Sequence, residues 1–220
     1  MMQRAADAFA APPAPTAVVP GFEHVQRTWD RDLQRWNAKI LPGEYFVTCT
    51  DDAINTVLGS CISACIRDPE ARVGGMNHFM LPEDTSNGQS CWLDSGTGLA
   101  TRYGSFAMES LINDLMKLGA RRDRLEIKLF GGGKILSSMT DVGARNIEFV
   151  RGWLGLESLK VTAQDVGGVH PRRVIYLPAS GVVRLKRLRP LDGQAIADRE
   201  QRYLANLNHK PDGNDVELFD

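Results

Sequence analysis

The sequence predicts a single domain of the α+β (mixed α/β) class. Three observations carry this. Strand-like runs follow one another directly in several places, helical patterns interrupt them singly instead of alternating with them, and the 220 residues are 43% hydrophobic, enough for one core. The formal charge is −1, with 26 Lys+Arg against 27 Asp+Glu, so nothing favours a nucleic-acid partner. No apolar run approaches the roughly 18 residues of a membrane span, which argues against membrane insertion. Cysteines fall at 49, 61, 65 and 91 in a long chain without an export signal, so free thiols and a cytoplasmic location are expected.

Residues 1–20 are rich in Ala and Pro and lack a continuous apolar stretch, which predicts a disordered leader. From Phe22 the apolar residues Phe22, Val25, Trp29, Leu33, Trp36 and Ile40 recur at three- and four-residue steps. That spacing predicts an amphipathic docking helix ended by Pro42-Gly43. Strands are expected at about 44–50 and 53–58. A hairpin follows, from Cys61–Arg67 through Asp68-Pro69-Glu70-Ala71 to Arg72–Leu81. Residues 83–98 are polar and aperiodic, hence a long loop. Helix is expected at 102–118 with Gly119 as its C-terminal cap, a strand through Leu125, Ile127 and Leu129, and helix again at 142–155. Strands at 159–166, 173–177 and 182–188 complete the domain (21–190), and a tail (191–220) carries a helix near 193–206.

The hairpin holds the candidate chemistry. A turn centred between Pro69 and Glu70 pairs Cys61 with His78, and directly opposed side chains lie roughly 4.5–5.5 Å apart at Cβ. A thiol and an imidazole at that distance can exchange a proton. Gly59-Ser60 interrupts the preceding strand, so the chain can bend there and present successive N–H groups as an oxyanion hole. The same residues also fit a blander role, Cys61 as a small buried hydrophobe and His78 as a satisfied core histidine. A zinc site from Cys61, Cys65, His78 and Cys91 fits poorly, because C-x3-C is not the usual knuckle. Gly131-Gly132-Gly133-Lys134 fails the phosphate-loop fingerprint, with Lys at 128 and Ile at 135. No metal is expected.

The segment LGSCISACIRDPEARVGGMNHFMLPE, Leu58 to Glu83, resembles the CheD family of chemoreceptor glutamine deamidases. The match continues through RYGSFAMESLINDLMKLGA, IKLFGGGKIL, GARNIEFV and AQDVGGVHPRRVIYLPASGVVRLKRL, and more loosely to GNDVELF near the end. The resemblance implies a sandwich-like core of β-sheets with outer helices, as in deamidating toxins. It implies Cys61 as nucleophile, His78 as base, and a threonine that orients the histidine. The aligned position is Asn55, with Thr56 next to it. Strand neighbours point to opposite faces, so only one of the two reaches His78; Asn55 is favoured and Thr56 stays open. The implied activity is hydrolysis of receptor glutamines to glutamate through a thioester, without cofactor, on the cytoplasmic domains of chemoreceptors. A CheC-type phosphatase is the implied further partner. The alternative is a catalytically silent adaptor that binds the phosphatase or a receptor.

Overall fold

The computed structural model describes residues 16–82, 99–135, 141–189 and 193–209. Among the described residues ten strands form two five-stranded sheets, and three α-helices accompany them. The first sheet has the order β1 (Arg27–Asp30), β2 (Arg35–Lys39), β4 (Ala53–Leu58), β9 (Arg172–Leu177), β10 (Val182–Arg187). The second runs β3 (Tyr45–Thr48), β6 (Val73–Asn77), β5 (Ile62–Asp68), β7 (Glu126–Gly131), β8 (Val161–Val166). Both sheets are mixed, because β2 runs parallel to β4 and β7 parallel to β8. The expected α+β class with outer helices is what forms.

The main departure lies at the N-terminal side. The expected helix over Phe22–Ile40 is a β-hairpin, β1 against β2, with Trp29 opposite Trp36 and the two rings edge to face at 6.0 Å. Asp30 breaks any helix here. Its Oδ1 accepts from the N–H groups of Asp32 and Leu33, both at 3.0 Å, and Gln34 takes a left-handed conformation to close the loop. The alternation Trp36, Ala38, Ile40 fits a strand as well as the three-four spacing fits a helix, and the Asp-centred turn decides between them. Residues 1–15 of the expected leader lie outside the described residues, as does the loop expected at 83–98. Thr16 and its neighbours are packed: the Thr16 hydroxyl donates to Asp52 at 2.6 Å, and Val18 and Val19 rest on the core.

The β5–β6 hairpin forms with a register two residues from the expected one. Asp68 pairs with Val73 and Cys65 with Met76, so the loop is Pro69–Arg72. Asp68 fixes this register. It is fully buried, and it accepts from the N–H groups of Glu70 and Ala71 through one oxygen and from Arg121 and Arg124 through the other. A shift of two leaves every side chain on its original face. Cys61 and His78 therefore become diagonal neighbours instead of opposed ones. The ladder opens between Cys65 and Ile62, where the Asn77 side chain accepts from the Ala64 N–H at 2.8 Å.

Helix α1 (Leu99–Lys117) packs Met108, Leu111, Ile112 and Leu115 into the core and ends at Gly119, whose φ is +96°. Helix α2 (Val142–Leu156) starts at Asp141, which accepts from the Ala144 N–H at 3.0 Å, and buries Phe149, Val150 and Leu154. Helix α3 (Gly193–His209), read from sequence as a tail, puts Ile196, Ala197 and Leu204 into the interior. No helix among the described residues is long and apolar enough to cross a membrane.

Candidate active site

Between β4 and β5 the chain leaves one sheet and enters the other through three residues, Gly59, Ser60 and Cys61. Every carbonyl of this link is held. Gly133 N–H donates to Gly59 O at 2.7 Å, Asn146 Nδ2 to Ser60 O at 2.8 Å, and Gly132 N–H to Cys61 O at 2.7 Å. Asn146 is buried and also accepts from the Leu81 N–H at 3.0 Å, so it ties the link to the end of the hairpin. Gly131 must be glycine: its φ is +109°, and a Cβ there would lie 2.1 Å from the Cys61 carbonyl oxygen.

With the carbonyls fixed on one side, the three N–H groups converge on the other. All of them point at one carboxylate, that of Glu200 on α3. Gly59 donates at 2.8 Å, Ser60 at 2.7 Å with its hydroxyl at 2.6 Å, and Cys61 at a longer 3.4 Å. Cys61 Sγ, a ring nitrogen of His78 and an oxygen of Glu200 all lie within 4.8 Å of one another. Glu200 and Cys61 are fully buried and His78 is 1% exposed. Thiolate, imidazole and carboxylate are zinc-type donors. A cation at this point would have to compete with the amide donors that already face the carboxylate.

The imidazole is oriented from the other sheet. Thr56 Oγ1 on β4 lies 2.7 Å from His78 Nδ1 and donates to the Ile40 carbonyl at 2.8 Å. A hydroxyl has one proton, and a carbonyl can only accept, so toward His78 the threonine oxygen is the acceptor. Nδ1 therefore carries the hydrogen and Nε2 presents its lone pair. Nε2 is buried without a hydrogen-bond partner, and with Nδ1 taken by Thr56 it is the nitrogen left for Cys61. The backbone of His78 is anchored too, by its N–H to Glu44 O at 2.9 Å and its carbonyl to Gly43 N–H at 2.7 Å.

Asn55 does not reach this place. Its amide donates to Asn37 Oδ1 at 2.7 Å and Ala38 O at 3.1 Å, on the opposite face of β4. The contact favoured for Asn55 from the aligned position falls to Thr56, because alternation along the strand turns Asn55 away. Burial pushes the Cys61 thiol well above its ordinary value, and the Glu200 carboxylate adds to that, against a smaller opposing pull from Arg199. Burial, with Arg199 beside it, lowers His78 to about 3. The resting pair is thus a neutral thiol and a neutral imidazole.

Sequence reasoning does not single out Glu200, Asn146 or Gly131–Gly133 for the site. Glu200 does carry a signal: it stands at helical spacing among Ile196, Ala197 and Leu204, a lone acid on an apolar stripe. The three glycines, tested above only against a phosphate loop, instead let two backbones approach.

A cysteine and an oriented histidine beside converging N–H donors, in an α+β frame, are the arrangement that a thiol-dependent amide or acyl hydrolase needs. The family model for CheD, chemotactic sensory transduction, matches residues 80–187. A probable chemoreceptor glutamine deamidase CheD from Hahella chejuensis is 47% identical over 208 residues, 94% of this chain and 97% of that one. Its counterpart from Hydrogenovibrio crunogenus is 52% identical over 82% of this chain and 93% of its own. That from Janthinobacterium sp. is 50% identical over 89% and 93%. The chain belongs to the CheD family.

Proposed function

We propose that this chain is a protein-glutamine glutaminase that hydrolyses glutamine side chains of chemoreceptors to glutamate, with Cys61 as nucleophile. The observation that carries this is the relay Thr56–His78–Cys61 ending at the N–H groups of Gly59, Ser60 and Cys61. The names of its relatives, chemoreceptor glutamine deamidases, supply the substrate. His78 Nε2 takes the Cys61 proton as sulfur attacks the carboxamide carbon. The link N–H groups hold the oxyanion, and His78 returns the proton to departing ammonia. Water, deprotonated by His78, then releases glutamate from the thioester and restores the thiol. These steps need neither a metal nor an organic cofactor. On this reading the chain acts in the cytoplasm on receptor cytoplasmic domains, with a CheC-type phosphatase as a further partner. A silent adaptor would have no use for an imidazole held in one tautomer beside a thiol.

The direct test is mass spectrometry of a receptor cytoplasmic domain co-expressed with this chain. Particular glutamines gain about one dalton each as amide becomes acid. A receptor domain returned with every glutamine intact sinks the proposal.

Thr56 is a positioning residue in this scheme. Thr56→Val is expected to slow deamidation of that fragment by roughly 10- to 100-fold, since an unheld imidazole rotates or takes the wrong tautomer. Thr56→Ser restores most of the rate. Asn55→Ala stays near wild type, with folding of all three checked by circular dichroism. Were Asn55→Ala the slow variant and Thr56→Val the fast one, Thr56 would not be the orienting group.

A further inference from the structure

The place where the link N–H groups converge is already filled, and by the side chain that the reaction makes. We propose that Glu200 is a resident mimic of the glutamate product, so that helix α3 closes the active site in cis and must withdraw before a receptor glutamine can enter. This rests on the deamidase reading and goes beyond it.

Four observations carry it. The group is chemically right, because hydrolysis of a glutamine leaves this same carboxylate. It sits where the reacting carbon must be, within reach of Cys61 and His78. It is held as an oxyanion would be, by Gly59 and Ser60 N–H at 2.8 and 2.7 Å, while no salt bridge to Glu200 occurs among the described residues. And the site is closed with α3 in place: Cys61 is fully buried and His78 is 1% exposed. Gly59 shows how close the fit is, since a Cβ there would come within 2.7 Å of Glu200 Oε2 and 2.2 Å of Ile135 Cδ1.

The attachment of α3 is compatible with release. Among the described residues it includes, besides Glu200, the buried Ile196, Ala197 and Leu204, an Arg199–Val57 carbonyl bond at 3.0 Å, and a Tyr203–Tyr103 hydroxyl contact. A cavity of about 490 Å³ lies along its flank, lined by Tyr203, Asn206 and Leu207 of α3 and by Tyr103 and Phe106 of α1, with His78 at its wall. Burial first and the Glu200 charge second push the Cys61 thiol up, and departure of the carboxylate removes the second. Opening and activation of the nucleophile are then one event.

The full-length Glu200→Gln variant converts the mimic into a substrate. Cys61 sulfur attacks Cδ of the introduced carboxamide, the C–N bond breaks, and ammonia leaves with the proton passed through His78. Water then cleaves the thioester, regenerating the thiol and leaving glutamate at position 200. The peptide containing that position is expected to gain about one dalton at a first-order rate independent of protein concentration. Cys61→Ala/Glu200→Gln is expected to keep the amide. In parallel, Glu200→Ala is expected to raise both iodoacetamide labelling of Cys61 and turnover of a receptor fragment by about tenfold or more. If the introduced amide persists, and Glu200→Ala labels and turns over no faster while wild type deamidates the receptor, the mimic is overturned and the deamidase reading stands. Conversion of that amide at a rate that rises with protein concentration overturns closure in cis. If the introduced amide and the receptor glutamines both survive in every variant, the deamidase reading fails and the mimic falls with it.

Discussion

Cys61→Ala is expected to abolish deamidation, leaving no mass gain on a receptor fragment at times when wild type has gone to completion. The loss follows from chemistry alone, because among the described residues Cys61 is the thiol grouped with His78. The fold should survive. Cys61 is a small buried side chain, and deleting its sulfur costs about 1 kcal/mol in a core that is otherwise unchanged. Cys61→Ser should be nearly as inactive, since a hydroxyl here gives up its proton less readily than a thiol. Cys65 provides the control: it is equally buried, burial pushes its thiol up strongly, and it sits on β5 where it pairs with Met76. Cys65→Ala and the exposed Cys49→Ala are expected to retain activity. An inactive Cys65→Ala beside an active Cys61→Ala would move the nucleophile.

His78→Gln is expected to lower the deamidation rate by roughly 100-fold or more, the scale for losing a general base. The same substitution has a thermodynamic signature that a spectator histidine would lack. Folded His78 is held down to about 3, whereas an unfolded histidine titrates near 6.5. Above about 6.5 neither state carries the proton, and pH has no effect through this residue. Between about 6.5 and 3 the unfolded chain binds a proton that the folded chain refuses, so stability falls as pH falls. Below that window both states are protonated and the loss levels off. Urea unfolding midpoints of wild type and His78→Gln, measured across this range, should show the shallower acid slope in the variant. Equal slopes together with an undiminished rate would remove His78 from the mechanism.

Much of the site is legible in the sequence because the pleat has period two. The register of the Asp68 hairpin is shifted from the expected one, yet by an even number of residues, and parity keeps Cys61 and His78 on one face. The orienting group is harder. Asn55 against Thr56 is a question of odd against even, and an alignment off by one position reverses the answer. The hairpin at Trp29 and Trp36 reads as a helix because apolar spacing alone suits either a helix or a pair of strands, and the deciding bonds run from Asp30 to its own backbone. Glu200 lies beyond reach for another reason. It stands 139 residues from Cys61 along the chain, and nothing local to either residue announces that they meet.

The three-residue link bears on how this enzyme is born. Thr56 belongs to one sheet, His78 and Cys61 approach from the other, and the nucleophile sits at the crossing. The second sheet alone brings the thiol and its base together but lacks the threonine that orients the imidazole. Pairings such as β4 with β9 and β7 with β8 join distant stretches of chain, and contacts of that kind close late because their loops are entropically expensive. During synthesis and refolding the imidazole beside the reactive thiol is therefore held in its working orientation only once both sheets have docked. A partly folded chain is chemically quiet, and the appearance of activity marks completion of the fold.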